Sequence, residues 1–416
     1  MFSSITDIEK YLNTFIPIKM LSRFPGEEGL IRTKEFLRLL GSPQNKLKVI
    51  HVAGTSGKGS TSFMISSLLI AQGYKVGLHL SPHLLDIRER TEINNTLIEE
   101  KKYVRYFNEI VPSLEKIKNS HFGTITYFEV MVGFVYYVFE KEKVDYAVIE
   151  VGLGGKYDGT NVIERSDKLS VVTRIGLDHT KVLGATLSQI AYQKAMICAE
   201  RGDLITIPQV RSAAKMIEKV VFEKEGQLSI ANIHNNTFGL KGEYQKENAS
   251  LAMAVVSHLA KRDGFEIRVQ NSQLKMLRSK GRFDVIQNNN RAIILDGAHN
   301  PQKMRAFIRA VKIEYPNKKF TFVIAFKHGK EYTKMLTYII PLASKIIITS
   351  IFSDNPDFGY LSTSTKDIQK ALLKQGFSTV QTSHTKSDLK QAIMEIKSDI
   401  IATGSLYLVG DVYEML

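Results

Sequence analysis

Two hydrophobic periods alternate along the chain. Short, nearly continuous apolar runs at Lys48 to Ala53, Tyr146 to Val151, Ser170 to Thr173 and Leu204 to Ile207 read as strands buried on both faces. Lys75 to Leu80 adds a shorter strand. Between the runs lie stretches of helical period: Phe63 to Ile70, and Tyr127 to Glu142 with Phe128, Val132, Val135 and Phe139 on one face. Strands alternating with helices imply right-handed crossovers and a parallel sheet covered on both sides. Ahead of this block, Ile5 to Leu12 and Ile31 to Leu40 read as helices, the second stopped by Gly41, Ser42 and Pro43.

The same alternation restarts near Arg291. Ala292 to Asp296, Thr321 to Ala325 and Lys345 to Ser350 read as strands. Pro301 to Ile313, Glu331 to Ile340, Ser364 to Gln375 and Ser387 to Ile396 read as helices. The polar run Gln287 to Asn290 is a linker or a hairpin tip at the boundary. Two α/β domains are therefore expected, over 1–290 and 291–416, with ligands in the cleft their junction would form. A chain of 416 residues suits that division better than one core.

Between the first strand and its helix stands Gly54-Thr55-Ser56-Gly57-Lys58-Gly59-Ser60-Thr61. Strand, glycine loop and helix start aim backbone N–H groups and a helix N-terminus at one spot, which suits a polyphosphate. Lys58 adds a fixed charge, and Ser60 or Thr61 a hydroxyl near any Mg2+. The spacing departs from the usual phosphate loop. Only Thr55 and Ser56 precede Gly57-Lys58, and Gly59 separates Lys58 from Ser60. The fold class is thus α/β: a P-loop-type, mostly parallel sheet domain followed by a smaller Rossmann-like C-terminal domain.

Composition narrows the partners. The chain is 44% apolar and 24% charged, without a repeat or low-complexity tract. Its one cysteine, Cys198, excludes an intrachain disulfide and a cysteine metal cluster. No basic-then-apolar leader opens it, and no run approaches the roughly eighteen apolar residues of a membrane span. A cytoplasmic protein without a membrane partner is expected. The net charge of +14 fits nucleic acid, acidic small substrates or a lysine-rich proteome. Because the lysines are scattered, nucleic acid ranks below the other two.

Four further clusters follow strands. Ser81-Pro82-His83 puts a hydroxyl and an imidazole after Leu80, in a turn that could equally be structural. Glu150 ends an apolar strand and precedes Gly152, Gly154 and Gly155. A buried carboxylate needs a metal or a cation, and Lys156 is one available partner. Asp178-His179 follows a third strand; imidazole, carboxylate and phosphate oxygens together can complete a Mg2+ shell. Asp296 to Pro301 suits a ribose or substrate contact, and also a capped turn with Asn300 as N-cap and Pro301 at the first helical position.

In this order, Ala53 to Ser60, Ser81 to Leu84, Glu150 to Gly155, Asp158 to Asn161, Gly176 to Thr180 and Asp296 to Pro301 resemble the folylpolyglutamate synthase/dihydrofolate synthase family of the Mur ligase superfamily. The resemblance runs from Ile31 to Gly410 and implies an activity. ATP phosphorylates a carboxylate of a folate or dihydropteroate, and the amine of L-glutamate displaces the phosphate. It also implies roles. Thr55 to Thr61, Asn248, Arg282 and Asp296 would contact ATP, with Lys58 on its phosphates. Ser81, Glu150 and His179 would hold Mg2+. Lys194 matches a lysine the family carbamylates; from spacing alone it reads as an exposed helix lysine. Thr126, Tyr127, Phe128 and Glu129 match the pterin-substrate region, as do Tyr157, Asp158 and Gly159, and Thr126 also reads as an N-cap. His299 and Ser405 are candidates for the glutamate side. A monomer acting on small molecules is expected.

Four departures bear on the acceptor, the first being the loop Phe24 to Gly29, which differs from the family's usual one. Ser56 stands where the family more often has Asn. Lys156-Tyr157-Asp158-Gly159 replaces Arg-Leu-Asp-Ala, and Phe326 to Lys330 replaces an Asp-Lys-Asp type of sequence. The alternatives are a Mur-type ligase for another carboxylate, and a P-loop kinase or ATPase without ligation.

Overall fold

The computed structural model describes residues 1–17, 25–268, 279–288, 290–352 and 362–416. The chain divides into two compact units, Met1–Phe238 with Lys246–Lys275, and Gly239–Gln245 with Met276–Leu416.

The first unit is built on a seven-stranded sheet of order β3-β2-β4-β1-β5-β6-β7. Its strands are β1 Val49–Ala53, β2 Val76–His79, β3 Glu92–Ile93, β4 Tyr146–Glu150, β5 Leu169–Val172, β6 Asp203–Thr206 and β7 Gln227–Ile230. All pairs are parallel except β2 with β3. Every residue of β1, β2, β4 and β5 is buried, which is why these strands read as unbroken apolar runs. Edge strand β7 is largely exposed, and its sequence carries no such run.

The helix Tyr127–Lys141 differs from the one-faced helix its period predicts. It is buried nearly all round, at Val130, Met131, Val132, Phe134, Val135, Tyr136, Val138 and Phe139 among others. It shares one core with Ala147 and Ile149 of β4 and with Ile8, Leu12, Phe36, Phe107 and Ile110, from the helices Ile5–Asn13, Glu27–Leu39 and Glu100–Lys118. Phe128, expected on the core face, is only partly buried.

One buried ion pair ties these layers together. Arg32 grips Glu129 through two bonds, Nε to Oε2 and Nη2 to Oε1, both 2.8 Å, and its Nη1 donates to Phe122 O. Glu129 also accepts from Thr126 N at 2.8 Å, completing a capping box at the start of Tyr127–Lys141.

The second unit carries a six-stranded sheet of order β12-β11-β10-β13-β9-β8. These strands are β8 Asp284–Asn288, β9 Arg291–Asp296, β10 Phe320–Ile324, β11 Ala343–Ile348, β12 Val380–Thr382 and β13 Ile400–Thr403. Only β8 is antiparallel, forming a hairpin with β9 in which Asn288 faces Arg291. The polar run Gln287 to Asn290 is therefore a hairpin end; Asn289 itself lies outside the described residues. The hairpin places β8 in the second unit beside β9. Among the described residues, no helix is long and apolar enough to cross a membrane.

Replacing Glu129 by Ala leaves the Arg32 guanidinium buried without its carboxylate. Glu129→Ala should lower unfolding free energy by about 3 kcal/mol. A urea titration followed by circular dichroism measures it, and an unchanged midpoint would contradict this account of the pair.

Candidate active site

The middle of the first sheet sets the site. β1 lies between β4 and β5, with Val52 level with Glu150 and Ala53 level with Val172. Their carboxyl ends therefore finish side by side, and the glycine loop leaves from the centre. Gly54 has φ 148°, and a Cβ there would stand 1.8 Å from Thr173 Oγ1. Gly57 has φ 92°, and a Cβ there would stand 2.2 Å from Asn248 Oδ1. Only glycine satisfies both the backbone and the contact at these two points.

The loop is stitched to the exit of β5. Thr55 N and Ser56 N both donate to Arg174 O, at 3.0 and 3.2 Å. Thr173 Oγ1 donates to Ser56 O at 2.8 Å. Thr55 Oγ1 donates to Gly176 O and accepts from Gly176 N, at 3.0 and 3.1 Å. The N–H groups of Thr55 and Ser56 are thus committed within the protein. The N–H groups that open the helix Lys58–Ala71 are the ones its geometry presents to an anion. Thr61 Oγ1 donates to Asn248 Oδ1 at 3.4 Å, so Asn248 borders the loop.

Glu150 is the hub on the other side of the loop. Its Oε1 is 3.7 Å from Lys58 Nζ, and its Oε2 accepts from Ser81 N at 3.1 Å. Lys58, and not Lys156, is its nearby cation; Lys156 Nζ lies over the rings of Tyr157 and Tyr192. Ser81 Oγ is buried with no hydrogen-bond partner among the described residues. Beyond it, Arg90 Nε donates to His83 Nδ1 at 2.7 Å, which places the imidazole proton on Nε2.

His179 stands just before the short helix Thr180–Leu183. It has φ 50°, its side chain is 42% exposed, and its Nε2 is 3.9 Å from Asp178 Oδ1. Lys194 ends the helix Leu187–Ala195 and is buried, not the exposed lysine its helical position suggests. A Cβ on Gly155 would stand 3.1 Å from Lys194 Cα, so the glycine turn after Glu150 presses on that helix. Among the described residues, no group of three or more His, Cys, Asp or Glu could hold a metal ion.

The expected pterin-region residues are heavily engaged within the fold. Thr126 caps its helix and Glu129 is held by Arg32; burial raises the Glu129 carboxyl above its ordinary value against that pairing. Asp158 accepts from Leu153 N at 2.7 Å, from Thr160 N at 3.0 Å and from the Thr160 hydroxyl. Burial still raises its carboxyl above the ordinary value. Thr160 Oγ1 is 2.8 Å from His51 Nε2. Because that hydroxyl donates to Asp158, His51 carries its proton on Nε2. Tyr127 is buried, Tyr157 is exposed, and Phe128 lies against Gly152 and Gly159, over the turn after β4.

In the second unit, Asp296 ends β9 and is buried. It accepts from Phe283 N and Ala298 N, both at 2.8 Å. Burial pushes its carboxyl up to about 6, with Arg282 and those two N–H groups opposing the rise. His299 Nδ1 meets Gly297 O at 2.8 Å, and Lys303 Nζ meets His299 Nε2 at 3.1 Å. A carbonyl only accepts and an ammonium only donates, so the imidazole is the neutral Nδ1–H form. Asn300 caps the helix Pro301–Glu314, as its sequence predicts. Ser405 is buried and caps Leu406–Tyr413, accepting from Tyr407 N. Gly404 N donates to Ala298 O, which brings the ends of β9 and β13 together. Lys327 Nζ lies 4.9 Å from the centre of the Tyr407 ring.

Sequence reasoning missed Thr173 and Arg174, and gave Thr160 no role of its own within the Asp158 to Asn161 motif. The signal available was position: Thr173 and Arg174 directly follow a strand beside the glycine loop.

Residues 279–415 match the family described as dihydrofolate synthetase, C-terminal domain. The chain is 31% identical to dihydrofolate synthetase of Saccharomyces cerevisiae, over 92% of this chain and 97% of that protein. It is 29% identical to the dihydrofolate synthase/folylpolyglutamate synthase of Bacillus subtilis, over the full length of both. A Mycobacterium tuberculosis folylpolyglutamate synthase, solved in complex with ADP, shares its fold with a TM-score of 0.84. That match covers 99% of this chain and 97% of the other at 24% identity.

The Asp296 carboxyl makes a pH prediction. Its folded value near 6 lies above the ordinary 3.8, so its protonated form favours the fold. That contribution is complete below the ordinary value and is lost as pH rises through 6. Between about pH 4 and pH 7 the wild type should lose about 2 to 3 kcal/mol relative to Asp296→Asn. Thermal midpoints of both proteins across this range measure it; parallel curves would contradict it.

Proposed function

The chain belongs to the folylpolyglutamate synthase/dihydrofolate synthase family, and we propose on that premise that it joins L-glutamate to a folate-type carboxylate at the expense of ATP. The observation that carries the reading is the meeting of Lys58, the start of Lys58–Ala71, Glu150 and Ser81 at the carboxyl ends of the central strands.

The chemistry asks for what this arrangement supplies. A carboxylate is a poor electrophile. Its oxygen attacks the γ-phosphorus of ATP, ADP leaves, and an acyl phosphate forms. The glutamate amine then attacks the acyl carbon, the amide forms, and phosphate and a proton depart. Charge on the transferring phosphoryl group must be stabilised, and the amine must be aligned. Lys58 and the helix-opening N–H groups hold the phosphates. Gly54 and Gly57 let them approach the backbone. Glu150 fixes Lys58 and the turn at Ser81.

The donors also suit Mg2+: a carboxylate and a buried, unpartnered hydroxyl are hard oxygen ligands. Glu150, Ser81 and His179 are the proposed ligands, and the cation would neutralise phosphate charge when bound. Asn248, Arg282 and Asp296 are the proposed nucleotide contacts; His299 and Ser405 are assigned to the glutamate side. Phe128, Tyr157 and Gly159 are proposed to line the acceptor region, with Thr126, Tyr127, Glu129 and Asp158 shaping it. Lys194, buried beside the glycine turn, is the proposed site of carbamylation. We take 1–290 as the ATP-binding part and 291–416 as the glutamate-ligase part, acting as a cytoplasmic monomer on small molecules, without nucleic-acid or membrane partners. The net charge of +14 supports anionic substrates, which a basic surface concentrates.

Two assays test this. Phosphate release dependent on both ATP and glutamate should appear with dihydropteroate, with tetrahydrofolate, or with both, tested separately. Lys58→Ala should lower it by about 100-fold or more, with the circular dichroism spectrum unchanged. No release with either acceptor, or full turnover by Lys58→Ala, would overturn the reading.

A further inference from the structure

Arg174 sits at the exit of β5 and works through both its backbone and its side chain. Its carbonyl receives the N–H groups of Thr55 and Ser56, which fixes the first half of the glycine loop. Its guanidinium forks the Glu247 carboxylate, with Nε to Oε2 at 3.1 Å and Nη2 to Oε1 in close contact. The remaining nitrogen, Nη1, donates to Pro208 O at 2.7 Å. Glu247 stands on the helix Tyr244–Asp263, immediately before Asn248. Asn248 is the residue that presses on Gly57 and meets Thr61.

The loop is thus held on two sides. The end of β5 holds Thr55 and Ser56, and Asn248 borders Gly57 and Thr61. The Arg174–Glu247 pair closes the span between those sides from outside the loop. We infer that Arg174 is a positioning residue for ATP: its fork on Glu247 sets the distance between the glycine loop and the helix carrying Asn248. The inference rests on the nucleotide reading of that loop and adds a determinant of its affinity.

A fork differs from a point charge. Two parallel N–H···O bonds fix direction as well as distance, which a lysine ammonium cannot do. The side chains of Arg174 and Glu247 are 27% and 32% exposed, so screening holds the effect to a modest size.

The test measures ATP affinity by displacement of a fluorescent ATP analogue, with kcat at saturating ATP and KM for glutamate alongside. The proteins are the full chain as wild type, Arg174→Lys, Arg174→Ala, Glu247→Gln and the Arg174→Ala/Glu247→Gln double variant. Each single variant should weaken ATP by about fivefold, and the double variant should be no weaker than Arg174→Ala. Arg174→Lys should behave like Arg174→Ala. kcat should fall less than affinity does, and the KM for glutamate should hold. Unchanged affinity, losses that multiply in the double variant, or a fall in kcat at constant ATP affinity would overturn the role of Arg174. A wild type that fails to bind the analogue would instead overturn the nucleotide reading, and this inference with it.

Discussion

The chemistry proposed for the first unit depends on one constraint, that β1 runs between β4 and β5 and parallel to both. Parallel register puts their carboxyl ends at one level. The residues that leave those ends then share a small volume: Gly54 from β1, Glu150 closing β4, Thr173 and Arg174 after β5. Sharing it forces the backbone into positions only glycine can take, at Gly54 against Thr173 and at Gly57 against Asn248. Backbone bonds to Arg174 O commit the first N–H groups of the loop, so the anion is left to the helix start and to Lys58.

Many of the conspicuous polar side chains that the sequence singles out serve the scaffold first. Glu129 holds Arg32, Asp158 gathers Leu153 and Thr160, and Ser405 caps a helix. Asp296 gathers two backbone N–H groups at the end of β9. Burying a carboxylate costs several kcal/mol unless such partners surround it. Burial nevertheless prevails at Glu129, Asp158 and Asp296, whose carboxyls stay above their ordinary range. A rigid set of this kind keeps loops in place before a ligand arrives, which is the physical content of preorganisation.

The sequence was most legible where burial on both faces leaves an unbroken apolar run. β1, β4, β5 and β6 were read from such runs, and so were β9, β10 and β11. It was least legible where an element is edged by water or broken by an atypical residue. β7 exposes most of its length and β12 is only partly covered, so neither shows a pattern. The long helix Glu100–Lys118 carries Pro112 inside it, which argues locally against a helix. β13 is central and buried too, yet its apolar run is only Ile400-Ile401-Ala402, and it was not read. Around the glycine loop, Lys58, Glu150, Ser81 and Asn248 were readable as motif members; Glu150 meets both Lys58 and Ser81, and Asn248 borders Gly57 and Thr61. Arg174 was not, because its role comes from a partner 73 residues away that no local pattern announces.

The central claim is that a substrate carboxylate is activated by phosphorylation at the Lys58–Glu150 end of the first sheet. The most direct measurement is to supply an acceptor whose carboxylate carries oxygen-18, with ATP, Mg2+ and glutamate, and to weigh the inorganic phosphate released. An acyl phosphate requires one carboxylate oxygen to leave with the phosphoryl group, so the phosphate should carry one heavy oxygen per turnover. Phosphate without the label, alongside amide product, would contradict the account.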